Sequence, residues 1–271
     1  MTARQIGLLV LLGAIWGAAF MFIKIILTDV APATLVAVRI AITGVVLYTV
    51  MRVTGVTLPR DRQAWKDFYI VGMVGLVVPF LLIGWGQRLI PSSTTSILGA
   101  TTPLFTAIVN LVLRHDEKIN PERLIGLLIG FAGVVVAIGF DGAAHGNIWG
   151  ELCVLGAAVC YAISALFARQ AFTGMNPIVP STGQMLASTT VLVPIALLWD
   201  GIPTTMPSTT SIVSMLVLAV VCTAVAYIIY YRIIADVGAT KTSMVSYLIA
   251  PFGVFYGAVG LQEPIAPNAI G

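Results

Sequence analysis

Long apolar runs alternate with short polar breaks along the whole chain, and the runs are close to one another in length. A helix needs about 20 apolar residues to cross the hydrocarbon core of a bilayer. Nine stretches come near that length: Ile6–Leu27, Thr34–Met51, Phe68–Gln87, Ser93–Leu113, Leu124–Phe140, Leu152–Phe172, Gly183–Trp199, Ile212–Tyr231 and Ser243–Leu261. Most connections between them are short. The pattern predicts one all-α bundle embedded in a membrane, without a soluble domain. Arg4 ahead of the first run gives it a signal-peptide look, but the run is long for one and eight more follow, so it is read as a retained helix.

Composition agrees with the pattern. Of 271 residues, 59% are hydrophobic and 9% are charged, against roughly 25% charged in a soluble domain. So few charges cannot coat a globule, and they form no basic surface on which nucleic acid would lie. Cys153, Cys160 and Cys222 sit inside apolar runs, where thiols pack. His115 and His145 fall in loops with no neighbour at metal-ligand spacing. No metal or cofactor is implied. The runs hold no nucleophile with a base and no carboxylate pair, and the chain lacks a phosphate-binding P-loop, so neither an enzyme nor an ATP-driven pump is expected.

Placement of the cations orients the bundle. Eleven lie on the side of the N-terminus: Arg4, Arg52, Arg60, Arg62, Lys66, Arg114, Lys118, Arg123, Arg169, Arg232 and Lys241; only Lys24 and Arg88 lie on the other. The positive-inside rule then puts the N-terminus in the cytoplasm of a multi-pass protein of the cell inner (plasma) membrane.

The chain also repeats itself. Trp16 and Lys24 match Tyr161 and Arg169, and Pro32 and Arg39 match Pro177 and Gln184, all at an offset of 145 residues. Further on, Thr95-Ser96 matches Thr242-Ser243 and Pro103 matches Pro251. Glu117-x-Ile119-x-Pro121, leading to Ile125-Gly126, matches Glu263-x-Ile265-x-Pro267, leading to Ile270-Gly271. Residues 1–145 and 146–271 are therefore expected to be two repeats. Five spans per repeat is an odd number, so the second copy enters the membrane inverted. Inverted repeats build many secondary transporters, with the substrate near the midplane between the halves. Ile125-Gly126 opens the fifth run, whereas Ile270-Gly271 closes the sequence, so the repeat predicts a second copy truncated before a tenth span.

Trp16-Gly17, the Pro-x6-Arg entry formed by Pro32 and Arg39, and the paired Pro…Glu segments that close each half resemble the EamA family of the drug/metabolite transporter superfamily. The likeness runs from Ile6 to Gly271. It implies ten helices in two inverted five-helix repeats around a cavity that moves small metabolites, often outward. Members similar to this chain export amino acids or related compounds. Small multidrug-resistance relatives rely on a Glu in their first helix, and the first run here has none.

The acidic residues fall at run ends or in loops, so the cavity is expected to be neutral. Arg39 is the one charge well inside a run. It lies within two turns of the outer end and is expected to snorkel to headgroups rather than to anchor a substrate carboxylate. Trp16 and Tyr161 are repeat mates, as are Trp85 and Tyr230, and are expected to form an aromatic wall. Thr101 and Asn110 on the fourth run, with Ser243 and Tyr247 on the ninth, are candidates for hydrogen bonds to substrate, though such groups also bond between helices. Pro79, Pro103 and Pro251 are expected to kink their helices, with Pro103 and Pro251 as a matched pair that lets the halves rock. Gly13-x3-Gly17 and Gly253-x3-Gly257 permit close helix approach. Glu117 and Glu263 are placed to cap a following helix.

The expected function is a secondary transporter, an exporter of small metabolites such as amino acids, working by alternating access. Without a membrane carboxylate it is expected to run down the substrate gradient. Alternatives are a carrier of lipid-linked or sugar metabolites, a channel, or a receptor or scaffold that moves nothing. Its partners are a small-molecule substrate and membrane lipids, not nucleic acid, and the sequence does not select between monomer and homodimer.

Overall fold

The computed structural model describes residues 1–112, 147–202 and 204–263, with isolated positions 125, 126, 129 and 132 between them. All regular structure among these residues is helical. α1 spans Ala3–Ile26, α2 Pro32–Val53 and α3 Arg62–Leu89, followed by α4 (Ser92–Gly99) and α5 (Thr102–Val112). α6 spans Ile148–Ala171, α7 Ile178–Trp199 and α8 Thr209–Val237, and α9 (Ala239–Ser243) leads into α10 (Val245–Leu261). Among the described residues, seven helical segments are long and apolar enough to cross a membrane: α1, α2, α3, α6, α7, α8 and the α9–α10 pair. The burial pattern suits that solvent. Val45, Leu198 and Val259 are more than half exposed, while Thr43, Ser181, Thr182 and Thr223 are fully buried. This is a multi-pass membrane protein.

The fourth expected run holds two helices, α4 and α5, interrupted at Ala100 and Thr101 just ahead of Pro103. Pro103 has no N–H with which to reach back a turn, and the Thr101 and Thr102 hydroxyls donate to the carbonyls of Leu98 and Gly99 at 2.7 and 2.8 Å. Side chains thus take over where the backbone ladder fails. The fifth expected run, Leu124–Phe140, lies outside the described residues apart from the isolated positions, as does Glu117.

Two helices carry π-helical stretches, Met73–Val77 in α3 and Val220–Val225 in α8, starting 147 residues apart. In the bundle α1 packs on α8 and α10, α6 packs on α3 and α5, α2 packs on α7, and α4 packs on α10. Gly13 and Gly17 let α1 approach Leu248 and Phe252 of α10.

One end of the bundle is tied by polar groups. α2 and α4 start at Ala31 and Pro91 without a side-chain cap of their own. Asp200 supplies one for α2, accepting from the Thr34 N–H at 2.6 Å and the Thr34 hydroxyl at 2.9 Å. Glu263 supplies one for α4, accepting from the N–H groups of Ser92 and Ser93 at 2.9 and 3.0 Å. Glu263 therefore caps a helix far back in the sequence, and the residues that follow it lie outside the described ones. Asp29 accepts from the Ser208 N–H and from the hydroxyls of Ser208 and Ser211 where α8 begins. Lys24 donates to the carbonyls of Gln87 and Ile90 at 2.6 and 3.1 Å, at the C-terminus of α3, where a cation is favoured.

These contacts shift the acids. The Ser208 hydroxyl first, then Ser211 and the Ser208 N–H, hold the Asp29 carboxyl well below the usual carboxylate range. Burial pushes Glu263 up, but its hydrogen bonds from Ser92 and Ser93 together outweigh that and leave it below its ordinary value.

Candidate solute-binding cavity

The helices enclose a cavity of about 130 Å³. A cavity of that order holds one small organic molecule. Aromatic rings from four helices stand in its wall: Trp16 and Phe20 from α1, Phe80 from α3, Tyr161 from α6, and Tyr227, Tyr230 and Tyr231 from α8. Spacing of i, i+3 and i+4 puts the three α8 tyrosines on one helical face, directly after the π-helical stretch. Trp16 meets Tyr227 at 5.9 Å and Tyr230 at 5.3 Å between ring centroids, and Phe80 meets Tyr161 edge-on at 6.5 Å. Such tilted and edge contacts suit the ring quadrupoles and hold the wall rigid.

The expected neutral lining is corrected by Arg39. Its side chain does not snorkel outward: it is 4% exposed and lines the cavity. Nε donates to Thr223 Oγ1 at 2.8 Å, and the guanidinium carbon lies 4.1 Å from the centroid of the Phe80 ring. Thr223 belongs to the π-helical stretch of α8, and its own hydroxyl donates to Leu218 O, five residues back, at 2.6 Å. The wider helical turn therefore fixes the acceptor that holds Arg39. Gln184, the repeat mate of Arg39, lines the same cavity from α7, and its buried Nε2 has no hydrogen-bond partner.

Of the residues singled out from sequence, Trp16, Tyr161, Tyr230 and Ser243 line this cavity together with Thr102 and Ser246. Trp85, Thr101, Asn110 and Tyr247 are not among the lining residues. Trp85 packs on Trp199 at 5.2 Å, the Thr101 hydroxyl is bonded within its own chain turn, Asn110 is buried on α5, and Tyr247 packs against Ile97 and Ala100. Pro79 follows the π-helical stretch of α3, Pro103 stands in the first turn of α5, and Pro251 lies inside α10. Sequence reasoning missed Tyr227, Phe80 and Thr223. The Tyr227-x2-Tyr230-Tyr231 spacing was a usable signal for the first; nothing local marked the other two.

Ala168 and Tyr231 also border a second space of about 680 Å³ at the opposite end of the bundle from the carboxylate caps, lined by Arg169, Asp236 and Lys241 among others. A cavity in mid-bundle that shares wall residues with a polar vestibule is suited to a protein that passes a small solute across a membrane. The sequence profile of the EamA-like transporter family matches residues 4–139 and 148–270. The chain belongs to that family. It is 22% identical to a Bacillus subtilis (strain 168) protein named "Uncharacterized transporter YoaV", over 94% of this chain and 88% of that one. It is 25% identical to a "Probable terminal-alkyne amino-acid exporter" of Streptantibioticus cattleyicolor, over 99% and 89%. A protein of known crystal structure shares the fold, with a TM-score of 0.77 and 18% identity, over 100% of this chain and 92% of that one.

Proposed function

We propose that this protein is a plasma-membrane carrier that exports a small organic metabolite, with amino acids as the leading class, by alternating access of two inverted halves. The observation that carries the reading is the enclosed cavity, whose wall draws on both repeats: Trp16, Arg39 and Phe80 from the first, and Tyr161, Gln184 and Tyr230 from the second. Helix packing supports the inverted arrangement. Exchanging the repeats turns the α1–α8 contact into α6–α3 and the α1–α10 contact into α6 with α4 and α5, and all are present. The paired π-helical stretches fit the same exchange. The name of the Streptantibioticus relative supports the amino-acid class. With the N-terminus cytoplasmic, the capped end faces outward and the vestibule faces the cytoplasm, as in a carrier waiting to load its cargo.

The test is uptake and counterflow of a labelled amino-acid panel in proteoliposomes. Saturable flux that Trp16→Ala abolishes is the expected result. No flux for any member, with or without a proton gradient, would refute the amino-acid assignment.

A further inference from the structure

Resting on the carrier reading, we infer that Arg39 is a carboxylate anchor in the cavity, so that the transported solute is recognised by a carboxylate with an apolar or aromatic body behind it. A guanidinium offers five N–H donors. Arg39 uses one, to Thr223, and no carboxylate lies within ion-pair distance of it among the described residues. It is also the one formally charged side chain among the described residues of the cavity lining. A buried charge with no counter-ion is costly, even with a hydroxyl and a ring face beside it, and the remaining N–H groups belong to a side chain that borders the open space.

A carboxylate satisfies the unspent guanidinium donors with a pair of oxygens and neutralises the charge. An ammonium finds no carboxylate among the described lining residues and meets the repulsion of Arg39. The rings of Trp16, Tyr161 and Tyr227 supply an apolar surface for the rest of the molecule. The carboxylate is therefore required, and an α-ammonium is not.

Three probes separate these demands: phenylalanine, 3-phenylpropionate, which lacks its amino group, and 2-phenylethylamine, which lacks its carboxylate. Each is titrated into the purified full chain in detergent while tryptophan fluorescence is followed, since Trp16 stands in the wall. The two carboxylates should bind and the amine should not. Arg39→Gln should weaken carboxylate binding about 10- to 100-fold. Arg39→Lys should recover only part of the loss, because a point charge lacks the planar fork. Amine binding as tight as that of 3-phenylpropionate, or affinities unchanged in both variants, or no binding of either carboxylate, would overturn the subsite. If Arg39→Gln does not fold, Arg39→Lys and the comparison of the three probes carry the same decision. Proteoliposome flux keeps the two readings apart: Arg39-dependent binding without flux sinks the carrier and leaves the subsite standing. Flux of solutes that lack a carboxylate, untouched by Arg39→Gln, does the reverse.

Discussion

Replacing Gly17 with alanine puts a methyl group where α1 and α10 meet backbone to backbone. A Cβ there would lie 2.6 Å from Phe252 Cβ, 3.0 Å from the Gly253 nitrogen and 3.1 Å from the Phe252 carbonyl carbon. Carbon atoms rest about 3.5–4.0 Å apart, so α10 must retreat by roughly 1 Å. None of these atoms is the loose end of a side chain that swings away. Overpacking of this kind costs about 1–3 kcal/mol, and alanine's better helix propensity offsets about 1 kcal/mol of it. The expected net loss is roughly 0–2 kcal/mol. Gly7 on the same helix is the control, because a Cβ there meets nothing within 4 Å. Gly7→Ala keeps the propensity gain without the clash and should be neutral or slightly stabilising. Thermal unfolding in a single detergent compares the two, with Gly17→Ala expected to melt about 2–5 °C below Gly7→Ala. Equal melting of both variants would refute the argument that this close approach holds α1 to α10.

Three further outcomes follow from contacts already described. Glu263→Gln should cost about 1 kcal/mol and speed amide hydrogen exchange at Ser92 and Ser93; unchanged protection there would remove Glu263 as the cap of α4. Asp29 has a folded pKa below its unfolded one, so its contribution is complete above about pH 4 and fades only as pH falls through the lower folded value. Amide protection at Ser211 and Ile212 should stay constant from about pH 8 to about pH 5, and a loss already near pH 6 contradicts that assignment. Thr223→Val removes the acceptor of Arg39 Nε while keeping shape, and should weaken 3-phenylpropionate binding about 5-fold without unfolding the protein. Equal affinity would show that Phe80 alone orients the guanidinium.

Hydropathy located the helices well where apolar residues run to the ends, as in α1, and less well where a polar turn starts the helix. α3 begins at Arg62, six residues ahead of the expected Phe68, because Asp61 caps a turn whose charges lower the apolar signal. The break in the fourth run was within reach, since Thr101-Thr102-Pro103 offers hydroxyls and a missing N–H together. The π-helical stretches were not, because Met73–Val77 and Val220–Val225 have the apolar composition of any membrane helix. For the site, Trp16 and Tyr161 emerged from the repeat alone. Arg39 and Gln184 emerged from the same repeat, but the nearness of Arg39 to the outer end of its run points to headgroups rather than to the cavity. Hydrogen-bonding capacity is what the two side chains have in common, and depth along a run did not reveal that both turn inward.

The caps at the tied end also impose an order on synthesis. α2 and α4 are completed early, yet the carboxylates that finish them, Asp200 and Glu263, come 166 and 171 residues after Thr34 and Ser92. At about 5–20 residues per second of translation, that gap lasts on the order of ten seconds. Throughout it, the first N–H groups of both helices depend on water and headgroups at the membrane surface. Asp29 waits in the same way for Ser208 and Ser211 to arrive. The starts of α2 and α4 therefore take their carboxylate caps only after α7 and α10 have been made.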